Sequence, residues 1–454
     1  MTSPAPSPGK GNQPDLTTGP ITATILRLAW PVVTSTFLET AFNVVNAFWM
    51  GHYSAAAMAS VISSGFIIWL CFSLFSVVAT GTNAMMARFV GARDHDMAAR
   101  VAGQALLFGL TFSLAIAGLG ISIRPYIFSL MGTAPDVTAH GSTYLLILFS
   151  AAPLFCVSDV FAAMFRASGD TKTPLIVFGC GTGLTMVLDP LLIFGVGPFP
   201  RLGVAGAGLA MLSSGVLSLI LMLYFLKRRP VPFKPTMKFD FSLIWRIARI
   251  GIPASISGIL FSIVYVFLTR ITSSFGTPAL AALGIGNRIE SINYMTSFGF
   301  EAATATMVGQ NLGAGKPERS ERSAWRAAQI IVAVTGVFAA VMLIWSRQIA
   351  AWFTPDPMVI PLAASYARII ALSQVFMGLE IVLSGGFSGA GDTLPPMLVS
   401  VPLSLLRLPV ALGLSQAFGL GADSVWWAIS STSIVKGTLM ALWFRTGRWK
   451  RKQV

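Results

Sequence analysis

The sequence is poor in charged residues, cysteine and histidine. Only 11% of its 454 residues are charged, against about a quarter in an ordinary soluble domain. The three cysteines lie inside apolar runs without a CxxC pattern, and the three histidines are far apart in the chain. Neither a disulfide framework nor a zinc site is therefore supported. The low charge also argues against a soluble enzyme.

Long apolar runs fill the chain instead, and 54% of the residues are hydrophobic. Because a helix needs about 20 apolar residues to cross a bilayer, such runs separated by short loops predict an all-α membrane protein with twelve transmembrane helices. About 38 residues per span leave no room for a soluble catalytic or nucleotide-binding domain. The predicted spans are roughly 22–49, 55–82, 101–121, 141–165, 173–195, 203–226, 250–272, 278–309, 327–346, 361–385, 395–416 and 421–444.

The net charge of +14 comes from Lys and Arg in loops beside these spans. Most of them fall on one side of the predicted membrane, and the opposite loops carry little beyond Arg124, Arg201 and Arg347. Basic loops mark the cytoplasmic side of a membrane protein, so we expect both termini to be cytoplasmic. A nucleic-acid partner is not expected.

Two halves of the chain repeat one another at a constant offset. Residues 27–31 match 249–253, residues 90–92 match 312–314, and residues 168–171 match 390–393, each pair 222 residues apart. With six spans per repeat, both halves enter the membrane from the same side. The repeat therefore predicts two parallel six-helix lobes, related by a pseudo-twofold axis along the membrane normal, around a central cleft.

The repeat and the charge distribution also divide the chain into segments. Residues 1–20 are rich in Pro, Ser, Thr and Gly and predict a disordered N-terminal tail. The N-lobe is expected at 21–226, a basic cytoplasmic linker at 227–249, the C-lobe at 250–444, and a basic cytoplasmic tail at 445–454.

Several motifs together resemble one transporter family. In single-letter code they are LAWP at 28–31, FWMG at 48–51, RASGDTKTP at 166–174, LDPLLIFG at 188–195, VGQNLGAGK at 308–316 and FSGAGDT at 387–393. In these the chain resembles the multidrug and toxic compound extrusion (MATE) transporters over essentially its full length. The resemblance implies an antiporter of the inner membrane that exports amphipathic, often cationic compounds in exchange for sodium ions or protons by a rocker-switch.

The chain departs from the pattern of that family at three places. Asn46 stands where many bacterial members have an Asp implicated in cation coupling, and Thr185 stands where the family has Asn. The stretch 260–264 lacks an acid that some members carry. The fifth-span Asp189 is retained, so the coupling assignment of the family transfers only in part.

Polar residues inside the first and fifth spans are the candidate coupling site. Glu39, Asn43 and Asn46 are spaced by four and three residues, which predicts one polar face of a helix. Asp189 precedes Pro190, whose missing N–H leaves a carbonyl free, and Thr185 lies one turn before it. Such oxygens suit a sodium ion, which is the only metal or cofactor that we expect. The alternative is that these side chains only join helices within the lobe.

A second set of ionisable residues lies in the spans of the C-lobe. Glu290 and Glu301 are eleven residues apart and so share a helix face, and Glu380 and Arg407 lie in later spans. We predict a charge network of Glu290, Glu380 and Arg407, with either a structural or gating role or a role in binding substrate or protons. Tyr265, equivalent to Asn43 by the repeat offset, is the aromatic candidate for the cleft.

Two other classes of protein compete with a drug exporter. A flippase for a lipid-linked or amphipathic envelope precursor would need a cleft lined by several Arg. A membrane-embedded enzyme would need a nucleophile or metal cluster, which the sequence does not show. ATP is not expected as a partner, because Gln310 and Pro317 break the phosphate-loop pattern around Lys316. We therefore expect a monomeric transporter of small amphipathic molecules in the lipid bilayer, without covalent chemistry.

Overall fold

A computed structural model describes residues 15–130, 133–229 and 235–452. The described residues form twelve α-helices and one 3-10 helix, without a β-strand. The helices are α1 (Ile21–Tyr53), α2 (Ala55–Gly91), α3 (His95–Leu130), α4 (Pro135–Ala167), α5 (Lys172–Phe194), α6 (Val204–Arg228), α7 (Phe241–Ser273), α8 (Thr277–Gly313), α9 (Pro317–Phe353), α10 (Val359–Gly389), α11 (Leu394–Phe418) and α12 (Asp423–Arg445), followed by a 3-10 turn at Arg448–Arg451.

Each predicted span coincides with one helix, which confirms the prediction of twelve. Most helices run several residues past the apolar stretch, because a helix does not have to end where the hydrocarbon ends. Ten of the twelve are long and apolar enough to cross a membrane. The other two are α8, which carries Glu290 and Glu301, and α12, which carries Lys436.

The packing of the helices produces two lobes. In the N-lobe, α4 packs against α2, α3 and α6, and α5 packs against α6. In the C-lobe, α10 packs against α8, α9 and α12, and α11 packs against α12. The lobes meet along a seam in which α1 contacts α8, and α2 contacts α7. This is the two-lobed, all-α architecture predicted from the repeat.

The seam is closed by backbone contacts at small residues. A Cβ added to Gly251 on α7 would lie 1.8 Å from the carbonyl oxygen of Val77 on α2. One added to Gly299 on α8 would lie 3.1 Å from the carbonyl oxygen of Ala29 on α1. Ala29 and Val77 are the repeat equivalents of Gly251 and Gly299, so the two contacts are related by the pseudo-twofold axis.

These close contacts occupy only one half of the seam. We call the end of the molecule with the start of α1 and the end of α2 the basic end, because the loops there carry most of the Lys and Arg. Farthest from it, Ser73 lies beside Gly258, and the Thr36 hydroxyl donates to the Met295 carbonyl at 3.5 Å. Beyond this level no hydrogen bond or close glycine contact joins the lobes within the described residues. The lobes therefore form a cleft that is open at the end opposite the basic end.

The segments before α1 and around α7 differ from the prediction. Residues 15–20 do not follow the prediction of a disordered tail at 1–20, because Leu16 is fully buried between helices; residues 1–14 lie outside the described residues. The segment predicted as a linker at 227–249 is helical at both ends, since α6 ends at Arg228 and α7 begins at Phe241; its residues 230–234 are not described. In the predicted tail at 445–454, Trp449 is buried and stacks on Phe444, with ring centroids 4.5 Å apart; residues 453–454 are not described.

Candidate functional site

A buried carboxylate lies inside the N-lobe. Asp189 on α5 is fully buried, and the Asn46 side-chain amide on α1 donates to its Oδ2 at 3.0 Å. The other oxygen, Oδ1, is buried and has no hydrogen-bond partner among the described residues. Because a buried polar atom without a partner is costly, this oxygen marks a position where a proton or a cation would be stabilised.

Further oxygens surround this carboxylate. The Thr185 hydroxyl is buried one helical turn before Asp189 and donates to the Gly181 carbonyl at 3.0 Å. Its lone pairs stay available while the proton is donated. Pro190 lacks an N–H, so the carbonyl of Met186 has no partner in the helix at this point. We call Asn46, Thr185 and Asp189 the N-lobe site; its donor set is the oxygen-rich kind that a hard cation prefers.

The predicted polar face of α1 is divided between two environments. Asn46 is buried against α5, whereas Glu39 and Asn43 are exposed. In the described structure no hydrogen bond or ion pair joins Glu39 or Asn43 to the N-lobe site. This conformation therefore separates Glu39 and Asn43 from Asn46 and Asp189, and a common site of these residues stays a prediction. The cause is the cleft: Thr36 reaches the C-lobe, and one and two turns farther on, Glu39 and Asn43 lie where the lobes have separated.

In the C-lobe, Glu290 is held by residues of α10. The Tyr366 hydroxyl donates to Glu290 Oε2 at 2.9 Å, and the Gln374 amide donates to Oε1 at 3.5 Å. Asn293, one turn after Glu290, donates in turn to Gln374. Tyr366, Gln374 and Asn293 are all buried. This chain of donors orients the Glu290 carboxylate between α8 and α10.

A buried ion pair joins α10 and α12. Lys436 Nζ lies 3.9 Å from Glu380 Oε1, and both side chains are mostly buried. Ser400 donates to Glu380 at 2.6 Å, and Lys436 donates to Ser404 at 2.7 Å. Both serines belong to α11, so four polar side chains link three helices of the C-lobe.

Arg407 makes its hydrogen bonds to α12 and not to an acid. Its Nε donates to Thr432 and its Nη2 to Ser433, both at 3.0 Å, and Nη1 is buried without a hydrogen-bond partner among the described residues. Within the described residues no hydrogen bond or ion pair joins Arg407 to Glu290 or Glu380, so the network of these three residues stays a prediction. Arg407 faces the hydroxyl groups of α12, and Lys436 on that same helix is the cation that pairs with Glu380.

An aromatic cluster lies on α7 and α8 above the closed half of the seam. Phe261 is 4.6 Å from Tyr265 and nearly parallel to Tyr294 at 6.4 Å, and Tyr294 is 4.9 Å from Phe298 between ring centroids. These four residues form the aromatic cluster referred to below. Glu301 follows Phe298 by one turn and is partly exposed, without a hydrogen-bond partner in the described structure. Tyr265 therefore lies among aromatic rings that border the cleft.

Sequence reasoning missed the partners of the C-lobe acids. Tyr366 and Gln374, which hold Glu290, are polar residues of the tenth apolar span, and their spacing of two turns was the available signal. Lys436 was noticeable as a cation in the last span, but its partner could not be assigned. Arg270 and Arg288, which also lie close to apolar spans, are exposed.

The two halves of the internal repeat each match the same family of known proteins. The sequence model of the MatE family matches residues 31–191 and again residues 253–412. The chain belongs to the MATE family. The two matched stretches begin at Pro31 and Pro253, which are equivalent positions of the internal repeat.

Several known proteins are similar along nearly the whole chain. The "Probable multidrug resistance protein NorM" of Thermotoga maritima is 28% identical over 442 residues, 95% of this chain and 93% of that protein. An FAD transporter of Shewanella oneidensis is 26% identical, covering 94% of this chain and 92% of that protein. A solved structure described as an outward-facing conformation of a multidrug resistance MATE family transporter has a TM-score of 0.89 at 23% identity, covering 96% and 97%. The chain is thus a multi-pass membrane transporter with the MATE fold.

Proposed function

We propose that this MATE protein is an antiporter that exports amphipathic, often cationic compounds in exchange for sodium ions or protons by alternating access. The observation that carries the proposal is the combination of a seam closed only at the basic end with a buried, half-paired carboxylate at Asp189. The positive-inside rule assigns the basic end to the cytoplasm, so this conformation is open outward. The expected location is the bacterial inner membrane, with both termini cytoplasmic.

The N-lobe site is the proposed coupling site. A fully buried carboxylate with one unpaired oxygen is stabilised when it takes up a proton or holds a cation. Asn46, which does not titrate, keeps one oxygen of Asp189 in place, and the Thr185 hydroxyl adds an oxygen one turn away. Glu39 and Asn43 lie in the open cleft, where an incoming ion would meet them first. No ATP and no further cofactor are required.

The aromatic cluster and the neighbouring acids are the proposed substrate surface. Aromatic faces attract cations that have left water, by about 0.5–2 kcal/mol each. Glu290 and Glu301 supply carboxyl groups on the same helix as Tyr294 and Phe298. An amphipathic cation could therefore lay its apolar part on the rings and its charge near these acids. The name of the Thermotoga maritima relative agrees with such a substrate. We expect the protein to work as a monomer, because one chain contains both lobes.

A second candidate is the transport of an anionic amphipath, including a lipid-linked precursor. The observation in its favour is Arg407, whose Nη1 is buried without a partner among the described residues. The relatives also include a protein of Shewanella oneidensis that is named for an anionic substrate, FAD. Against it, the C-lobe carries three partly buried acids in its spans, Glu290, Glu301 and Glu380, beside the two buried cations Arg407 and Lys436. A flippase for such a precursor would need a cleft lined by several Arg. The export of cations is therefore the favoured function.

The test is transport by purified protein in liposomes. Efflux of ethidium is followed while a sodium gradient or a proton gradient is imposed separately. Asp189→Asn removes the charge of the N-lobe site and keeps its shape, and Asp96→Asn removes an exposed acid at the start of α3 as the matched control.

Efflux that follows one gradient, is lost in Asp189→Asn and survives in Asp96→Asn would support the antiporter and identify its ion. Efflux that survives in Asp189→Asn would move the coupling site to Glu39 or to the acids of the C-lobe. If neither gradient moves the dye through folded protein, the proposal is refuted, and a lipid-linked or other anionic amphipath becomes the substrate to test.

A further inference from the structure

We infer that two short segments, one before the first helix of each lobe, hold the basic end closed by binding to the opposite lobe, and so set the balance between the two transport states. The first strap is residues 15–20, before α1, and the second strap is residues 235–240, before α7. The inference rests on the alternating access of the proposed function. It identifies the two segments that control the ratio of the transport states.

The first strap belongs to the N-lobe by sequence but binds the C-lobe. The Leu16 carbonyl accepts from the Asn311 amide at 3.3 Å, and the Thr17 carbonyl accepts from Lys316 Nζ at 2.9 Å. Arg319 Nη2 donates to the Thr18 carbonyl at 2.8 Å and to the carbonyl of the next residue. All three donors lie at the end of α8 or the start of α9. The main chain of the strap is therefore held by side chains of the other lobe.

Leu16 also contacts its own lobe, so the first strap bridges the seam. Its side chain is fully buried in a cluster with Met307 and Ala324 of the C-lobe. On the other side, a Cβ added to Gly169, at the end of α4, would lie 3.1 Å from Leu16 Cδ1. Asp15 is 3.7 Å from Arg93 of the N-lobe. If the lobes separated at the basic end, Leu16 would lose one of its two surfaces.

The second strap precedes the C-lobe and binds the N-lobe. The Gln104 amide on α3 donates to the Lys238 carbonyl and accepts from the Asp240 N–H at 2.9 Å. The Thr236 N–H donates to the Ala99 carbonyl at 3.0 Å. Arg100 forms an ion pair with Asp240 at 2.7 Å. The same Asp240 caps the start of α7 by accepting from the N–H groups of its first turn, so the cap and the anchor share one side chain.

Under the internal repeat the first strap corresponds to residues 237–242, which overlap the second strap at 237–240, although the two sequences differ. Leu16 and Lys238 are 222 residues apart, and the carbonyl of each accepts from a fully buried side-chain amide of the opposite lobe, Asn311 or Gln104. The helix that follows each strap also packs against the opposite lobe. Ile25 of α1 packs in a C-lobe cluster, and Ile247 of α7 packs in an N-lobe cluster. Similar contacts from dissimilar residues indicate a common role at the seam.

The strap contacts across the seam exist only in the transport state whose basic end is closed. Opening at the basic end pulls the lobes apart there, and the strap contacts that cross the seam are lost. An interaction present in only one of two states shifts their ratio by its own free energy. Removing one such hydrogen bond should change the ratio roughly three- to tenfold, and removing one at each strap should multiply the two effects because the sites are far apart.

The experiment measures distances between spin labels in the full chain, reconstituted in lipid nanodiscs after the three native cysteines are replaced. Labels at Lys172→Cys and Leu394→Cys report on the basic end, since both residues are exposed and equivalent under the repeat. Labels at His52→Cys and Ser274→Cys, again exposed equivalents, report on the opposite end.

Four variants are compared in each labelled background. Gln104→Ala weakens the second strap, Asn311→Ala weakens the first, and both are then combined. Gln348→Ala removes an exposed glutamine of α9 that makes no side-chain hydrogen bond in the described structure, and it is the matched control. If Asn311→Ala does not fold, Arg319→Gln replaces it, because the Arg319 guanidinium binds the same strap from the surface.

We expect Asn311→Ala to raise the separated fraction at the basic end three- to tenfold over the parent, and Gln104→Ala, which removes two hydrogen bonds, to raise it by at least as much. The distance at the opposite end should become shorter in both, and Gln348→Ala should match the parent. Unchanged distances in folded variants, while the parent responds to ions or ethidium, would overturn the straps and leave the proposed function intact. Longer distances at both ends would show general loosening and would also overturn them. A basic end that never opens under any condition would refute both proposals.

Discussion

The ion pair between Glu380 and Lys436 gives the sharpest energetic prediction. At an effective dielectric constant of about 20, two unit charges roughly 4 Å apart attract each other by about 4 kcal/mol. The separation of the two charged atoms is 3.9 Å, and both groups are largely removed from water. Removing one partner leaves a buried charge without its counter-ion, which costs about 3–5 kcal/mol. Replacing both by neutral residues of similar size removes the charges together.

The prediction is tested by a double-mutant cycle with Lys436→Met and Glu380→Gln. We expect each single variant to lower the free energy of unfolding by about 3–5 kcal/mol. The double variant should lose only about 1–3 kcal/mol, because the amide introduced in place of the Glu380 carboxylate can still accept from Ser400 and only the Ser404 contact is lost. The coupling free energy should therefore be at least about 3 kcal/mol.

The assay is denaturant unfolding in detergent micelles, followed by tryptophan fluorescence and compared between the four proteins. A coupling below about 0.5 kcal/mol, with additive single effects, would refute the reasoning. It would mean that water or rearranged side chains compensate the charges, and that the two groups do not stabilise each other in the C-lobe. Glu318→Gln on the surface at the start of α9 serves as the control, and it should change stability by less than about 0.5 kcal/mol.

Three further predictions follow from the seam, the N-lobe site and the aromatic cluster. Asn46→Ala should lower the free energy of unfolding by about 1–3 kcal/mol by removing the donor to Asp189, whereas the exposed Asn43→Ala should change it by less than about 0.5 kcal/mol in the same unfolding assay. Gly251→Ala should force the seam apart and open the basic end in spin-label distances, whereas Gly183→Ala, with open space around it, should not. Tyr294→Leu should weaken ethidium binding roughly twofold to thirtyfold in fluorescence titrations, because one ring contributes about 0.5–2 kcal/mol.

Each of these has an outcome that counts against it. Equal stability losses in the two asparagine variants would mean that the bond to Asp189 is not what stabilises the N-lobe. A closed basic end in Gly251→Ala would show that the backbones of α2 and α7 can shift without separating the lobes. Unchanged ethidium affinity in Tyr294→Leu would place the dye away from the aromatic cluster.

The sequence alone determined the number of helices, their order and the two-lobed arrangement. Hydropathy is a property of each segment by itself, since a bilayer requires every backbone polar group to be satisfied within a helix of about 20 apolar residues. The repeat of 222 residues then relates the two halves without any knowledge of contacts. Both features can therefore be read along the chain, as can the depth of Asp189 and Glu290 in the spans.

The tertiary structure decided which of these side chains meet. Asn46 and Asp189 bond because α1 and α5 pack with those faces together, and Glu39 is left in the cleft although it lies on the same face of α1. Arg407 bonds to hydroxyl groups and Lys436 pairs with Glu380, whereas charge alone does not distinguish the two cations. Such pairings depend on the rotation and tilt of each helix about its neighbours, and these are set by packing between residues far apart in the sequence. Closure of the basic end also depends on the tertiary structure, because it consists of contacts between the backbones of the two lobes.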